Sequence, residues 1–204
     1  IKSNDKREKN KLNEFVKILM KKYDELNLEK RESNKEIETI TENLCDILDP
    51  NQKINSKIDN LIDKFGNFYK IILADYKKAL EYYTKSYEIR KKASSSLRSN
   101  LKKARSLTNI GSIYYKQCNY EKAKQVQQEA IDLLKTSKCE NTAEYANALN
   151  SLGLAFLRLN KYDESFEMIS DAYRLRKRLF NSTDHECLAE SIDSLGLNLY
   201  FKGD

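Results

Sequence analysis

The chain has 204 residues, 40% of them apolar and 33% charged, enough to bury a substantial core while exposing much solvated surface. Its 37 basic and 31 acidic residues are interspersed, and the formal charge of +6 falls short of the concentrated basic stripe of an obligate nucleic-acid binder. Five glycines and one proline favour long helices over many strands and turns, and no apolar run reaches the roughly 20 residues of a bilayer span.

From about residue 11 to 31, Leu12, Phe15, Val16, Leu19, Tyr23 and Leu26 recur by threes and fours, the spacing of an amphipathic helix. Ser33-Asn34-Lys35-Glu36 has the form of a capping box and opens a second helix through Ile37, Ile40, Leu44 and Leu48. Asp49-Pro50 closes that helix and starts a third through Ile54, Ile58, Leu61, Phe65, Phe68 and Ile72, whose steps of four and three are heptad-like. Residues 1–60 therefore read as N-terminal helices, either a degenerate helical hairpin packed on the downstream helices or a coiled-coil-like segment. The capping box and Asp49-Pro50 break the chain at hairpin lengths and favour the first.

From residue 61 to 204 a phrase repeats. Leu107-Thr108-Asn109-Ile110-Gly111, Leu149-Asn150-Ser151-Leu152-Gly153 and Ile192-Asp193-Ser194-Leu195-Gly196 share the order aliphatic, two polar, aliphatic, glycine, and their glycines lie 42 and 43 residues apart. A second phrase alternates with it: Asp75-Tyr76, Asn119-Tyr120 and Lys161-Tyr162 each start a helix in which a small residue follows the tyrosine by three (Ala79, Ala123, Ser165). Another small residue follows seven later (Ser86, Ala130, Ala172). Small residues seven apart share a helix face and allow two helices to approach closely. The copy around Gly66 needs one extra residue in its turn, since Tyr69 precedes Ala79 by ten and Tyr114 precedes Ala123 by nine.

At these residues the chain resembles the tetratricopeptide repeat family, and its long period resembles the variant of kinesin light chains and nephrocystin-like proteins. Thr183-Asp184-His185-Glu186-Cys187-Leu188-Ala189 stands where that variant has an Asp-His-Pro connector, without the proline. The resemblance implies an all-α fold, a right-handed superhelix (solenoid) of antiparallel helix pairs, with about three repeats and the first helix of a fourth over residues 61–204. Gln127 departs from the pattern, standing where the family has an aromatic residue.

The resemblance also implies a concave groove lined by one face of each first helix. Its candidates are Arg105, Thr108, Asn109, Ser112 and Lys116, then Asn147, Asn150, Ser151, Leu154 and Arg158, then Glu190, Asp193, Leu197 and Tyr200. Amide side chains can bond the backbone of an extended peptide, and Arg or Lys can pair with carboxylates or phosphates. The expected partner is a protein or peptide bearing acidic groups, with Asn109 and Asn150 the foremost contacts. Arg90-Lys91-Lys92 and Arg174-Leu175-Arg176-Lys177-Arg178 sit near the ends of second helices, where cations complement the helix dipole.

Catalytic signatures are missing: His185 is the sole histidine, His185 and Cys187 lack two further ligands for zinc, and no phosphate-binding or nucleophile-elbow motif occurs. Cys45, Cys118, Cys139 and Cys187 have no paired spacing and read as thiols of a reducing, cytoplasmic compartment. The chain begins at Ile1 and stops where a repeat has just begun, and so reads as an excerpt of a longer polypeptide. The expected function is a non-catalytic interaction scaffold without cofactor or metal. The alternatives are a cargo adaptor with an N-terminal coiled coil, or the regulatory part of a larger enzyme or nucleotide-driven switch.

Overall fold

The computed structural model describes residues 56–71, 73–92, 95–180 and 186–203. The capping box, residues 1–55 of the 1–60 segment read as a helical hairpin or a coiled coil, and the Asp184-His185 connector lie outside them. Regular structure among the described residues is entirely helical: α1 Ser56–Ile71, α2 Tyr76–Lys91, α3 Leu97–Lys116, α4 Tyr120–Thr136, α5 Ala143–Arg158, α6 Tyr162–Phe180 and α7 Glu186–Lys202. The chain divides into Ile1–Phe65 and Gly66–Asp204; the described part of the first unit is the start of α1, and the helix pairs occupy the second.

The pairs are made by local chemistry. Helix α1 ends in a turn closed by the amide of Asp75 donating to Tyr69 O at 2.9 Å; the equivalent bonds after α3 and α5 run from Asn119 to Tyr114 O (2.8 Å) and from Lys161 to Phe156 O (3.0 Å). The first turn spans one residue more than the other two, as the spacing of Tyr69 and Ala79 implies. Each reversal passes through a left-handed residue, Ala74 (φ 52°), Cys118 (φ 59°) or Asn160 (φ 59°). Asn tolerates that conformation, whereas Ala and Cys adopt it at a cost of roughly 1–2 kcal/mol that the closing bond offsets. The next side chain then caps the second helix: Asp75 Oδ1 accepts from the Lys78 amide at 2.9 Å and Asn119 Oδ1 from that of Lys122 at 3.3 Å. Ser96 and Thr142 cap α3 and α5 with their hydroxyls in the same way.

Each helix from α2 onward packs on the next, and the first helices α3, α5 and α7 also pack side by side, which makes Gly66–Asp204 an all-α solenoid of helix pairs. Close approach within a pair is set by the glycines. A Cβ on Gly66 would lie 2.5 Å from the Tyr83 ring, and one on Gly153 would lie 2.5 Å from Ile169 Cγ1 and 3.1 Å from the Ser165 carbonyl oxygen; at Gly111 it would strike the Gln127 amide. The small residues Ala79, Ser86, Ala123, Ala130, Ser165 and Ala172 are fully buried on the facing helices. Gln127 is accommodated because its Nε2 donates to the Thr108 carbonyl at 3.0 Å across the Gly111 contact. Above these contacts Leu107, Ala130, Ile131, Ala148, Leu149, Leu152 and Ala172 form one continuous apolar cluster.

Gly196 differs, because a Cβ there meets nothing within 4 Å. Gly153→Ala is therefore expected to destabilise the fold by about 1–3 kcal/mol through overpacking. Gly196→Ala is expected to stabilise it by up to about 1 kcal/mol through helix propensity alone. Urea denaturation of the two variants gives the opposite signs directly.

Candidate functional site

The first helices share a face on which most of the sequence-derived candidates lie, and neighbouring helices are bonded across it. Lys70 of α1 donates from Nζ to Ser112 Oγ of α3 at 3.3 Å, and Ser112 Oγ donates to the Asn109 carbonyl at 2.7 Å. Arg105 of α3 pairs with Glu144 of α5. Arg158 of α5 donates from Nε to Tyr115 Oη of α3 at 3.0 Å and lies 5.7 Å from the centroid of the Phe201 ring on α7. Arg105 and Arg158 thus already bridge neighbouring helices, in addition to being exposed.

Thr108, Asn109, Ser112, Ser151 and Leu154 are half-buried, while Lys116, Asn147, Glu190, Asp193, Leu197 and Tyr200 are exposed. Asn150 departs from the expectation. It is 2% exposed, and its Oδ1 has no hydrogen-bond partner among the described residues. The reason is its place on α5, which is flanked by first helices on both sides, so this polar position is an interior one there and an exposed one at Asp193 on α7. Asn109 remains on the face, its carbonyl held by Ser112.

Two side chains that matter to this face were not found among the sequence candidates. Lys70 lies just before the wider first turn, outside the helices from which the face was projected. Its pKa lies below the ordinary 10.5, chiefly because burial penalises the ammonium and then because Lys116 adds a like charge; Glu190 acts in the opposite sense. Neither Lys70 nor Lys116 forms an ion pair among the described residues. The Lys70 ammonium is thus held by the Ser112 hydroxyl rather than by a carboxylate.

The other is Arg176. The basic run 174–178 reads as a solvated helix end, yet Arg176 is 2% exposed, whereas Arg174, Lys177 and Arg178 face solvent. Its Nη1 donates to the Cys187 carbonyl at 2.7 Å and Ser191 Oγ at 2.6 Å, and its Nη2 to Asn147 Oδ1 at 2.8 Å and Glu190 Oε2 at 3.0 Å. From beneath the face, one guanidinium thereby positions Asn147 on α5 and Glu190 on α7. Arg90 repeats the arrangement two helix pairs earlier, donating from Nη1 to Ser106 Oγ at 2.5 Å and to the Lys102 carbonyl at 3.1 Å. At the equivalent positions of the middle pair stand Leu134 and Ala148, both fully buried. Arg accompanies Ser and Leu accompanies Ala, a pairing visible in the sequence once the register is known.

Removing the guanidinium while its partners stay should be costly. Arg176→Ala is expected to lose about 2–4 kcal/mol of stability through lost packing and charge-assisted hydrogen bonds. The double change Arg176→Leu with Ser191→Ala, which copies the Leu134 and Ala148 pair, should recover to within about 1 kcal/mol of the parent. Chemical denaturation of the single and double variants measures both.

Among the described residues no cluster of His, Cys, Asp and Glu could hold a metal ion, and no helix is long and apolar enough to cross a membrane. Solved structures of similar fold include BtubC (BKLC) from P. vanneervenii, 19% identical with a TM-score of 0.65, the match covering 83% of this chain and 66% of that one. The apo form of RapI is 14% identical with a TM-score of 0.72, covering 93% and 64%. A Podosopora anserina putative kinesin light chain with nearly identical TPR-like repeats is 11% identical with a TM-score of 0.65, covering 95% and 87%. The chain spans just under two thirds of the length of the first two. At these identities the likeness is one of fold. No curated protein matches the chain. Two family models, each describing a tetratricopeptide repeat, match residues 63–136 and 146–186. Over those residues, with their paired helices and glycine contacts, the chain is a tetratricopeptide-repeat protein, which indicates a protein-protein interaction scaffold.

Proposed function

We propose that the first-helix face binds an acidic segment of a protein partner and that the chain acts as a non-catalytic scaffold. The observation that carries this reading is the Lys70 and Lys116 pair. Two ammonium groups interact, one of them largely desolvated and bonded to Ser112, and neither forms an ion pair among the described residues. A carboxylate or phosphate at Lys70 would offset the like charge of Lys116 and take a charge-assisted bond from an ammonium already held by Ser112, so anion binding there is favoured over binding at an ordinary exposed lysine.

The remaining polar groups suit a peptide laid across the same face. Asn109, Ser151 and Asn147 offer amide and hydroxyl groups for a peptide backbone, and Arg176 holds Asn147 in place. Arg105 and Arg158 remain part of the proposed contact surface, as do Thr108, Ser112 and Asp193. The arginines bind an incoming acid only in competition with Glu144 and Tyr115. Asn150 shapes the floor from its buried position.

Capture of an acidic peptide by the chain, followed by fluorescence anisotropy at low salt, tests the reading. Lys70→Ala with Lys116→Ala is expected to weaken binding at least tenfold while leaving far-UV helicity unchanged, whereas unaltered affinity would remove the pair from the site. The pH dependence follows from the direction of the shift. Because Lys70 has a folded pKa below 10.5, its charge is lost earlier than that of an exposed lysine as pH rises. Affinity should fall as pH climbs through that lowered value, and Lys70→Ala should abolish this limb of the profile.

A further inference from the structure

A guanidinium can only donate hydrogen bonds, so each group that Arg176 touches is left with a defined remainder. Its Nη2 donates to Asn147 Oδ1 at 2.8 Å and to Glu190 Oε2 at 3.0 Å. The oxygen of the Asn147 amide is thereby used, and what remains is the Nδ2 donor. One oxygen of Glu190 is used in the same way, which leaves Oε1 as an acceptor. Neither Nδ2 nor Oε1 takes a further hydrogen bond among the described residues. A donor on α5 and an acceptor on α7 thus stand side by side, fixed from beneath by one nitrogen of a side chain that is only 2% exposed. The position belongs to the face wherever it occurs in the array. Arg105, Asn147 and Glu190 each precede their glycine by six residues, and Asn147 is exposed although α5 has first helices on both sides.

We infer that Asn147 and Glu190 together bind the main chain of one residue of the partner segment, and that this segment lies extended across the face. An extended residue turns its N–H and C=O to the same side, as in the doubly bonded pairs of an antiparallel ladder. Asn147 Nδ2 and Glu190 Oε1 are the complement of those two groups. A helical segment cannot use the pair, because its own N–H and C=O groups are already bonded to each other along the axis. A carboxylate is repelled by Glu190, and an ammonium has no acceptor to offer Nδ2, so each satisfies half of the pair at most. This rests on the proposed capture of an acidic segment by the first-helix face and adds the conformation in which that segment is held. Lys70 and Lys116 recognise its charge, and Asn147 with Glu190 recognises its backbone.

The test uses the whole chain and a labelled, end-blocked peptide of alternating Ser and Glu, which carries charge for the lysines and has no carboxamide side chain. Fluorescence anisotropy compares the parent with Glu190→Gln, in which the glutamine oxygen takes the Arg176 bond and an amide donor replaces Oε1 on the face. Charge alone predicts tighter binding, since the substitution makes the face more positive. A main-chain contact at Oε1 predicts binding at least fivefold weaker, with an unaltered melting profile. The chain carrying Arg176→Leu with Ser191→Ala should lose affinity to a similar extent although its stability recovers, because Asn147 and Glu190 are then no longer fixed. A version of the peptide stapled into a helix should bind at least tenfold more weakly. Equal or tighter binding by Glu190→Gln, or of the stapled helix, would overturn the inference. Binding lost in Lys70→Ala with Lys116→Ala but kept in Glu190→Gln removes the main-chain contact and leaves the acidic-segment reading standing. The reverse result removes the lysine pair and keeps the contact, and absence of saturable binding overturns both.

Discussion

The close approach of paired helices at a glycine is the contact on which the rest of the solenoid rests. With glycine at the crossing, a Tyr, Gln or Ile side chain of the second helix can lie directly against the first-helix backbone. That proximity brings Leu107, Leu149 and Leu152 into one cluster with Ala130 and Ala172, and it sets the spacing at which successive first helices stand side by side. The tolerance for what fills the notch is wide in chemistry and narrow in volume. Gln127 occupies it where the other repeats have Tyr83 or Ile169; the Thr108 carbonyl satisfies its amide nitrogen, while its buried Oε1 has no partner among the described residues.

Polar residues in this fold divide between a surface role and an interior one, and the division is not by charge. Arg90 and Arg176 are among the most buried side chains of the described residues, while Tyr200 and Ile192 are among the exposed ones. The buried arginines are tolerated because each is met by backbone carbonyls and a serine hydroxyl, with Asn147 and Glu190 added at Arg176. Where the serine becomes Ala148, the arginine becomes Leu134. One solution fills the position with a guanidinium whose two terminal nitrogens are bonded while the Nε of Arg176 is left without a partner among the described residues, and the other fills it with an aliphatic chain that needs none.

The helix pairs were legible in the sequence because a fixed period of glycines and small residues is the mark of helices that must approach closely at regular intervals. The buried Ala79, Ala123 and Ser165 sit where that period places them. The candidate face was legible only in part. Asn109 and Asn150 look alike in sequence, yet they stand one position apart in the repeat and so on different faces of their helices: Ser151, the counterpart of Asn109, stays half-buried on α5 while Asn150 is enclosed. Lys70 escaped notice because the extra residue in the turn after α1 shifts its register against the other pairs. Arg176 was hidden in a run of charges, where sequence alone cannot separate the one member pointing inward from the three that do not. Ala74 and Cys118 at left-handed turns gave no signal either, since glycine is the residue by which such turns are ordinarily recognised.

The bonds of Arg176 have a consequence for how the array comes apart. In a stack held by nearest-neighbour packing, the last helix ordinarily frays first and in small steps. Here the guanidinium of α6 takes three of its acceptors from α7, namely the Cys187 carbonyl, Ser191 and Glu190. Detaching α7 would strip those acceptors from the Arg176 guanidinium at once, which couples the opening of α7 to α6. Arg176 thus ties α7 to α6 through its side chain as well as through packing, and amide hydrogens along Leu188–Asn198 are expected to exchange together with those of α6.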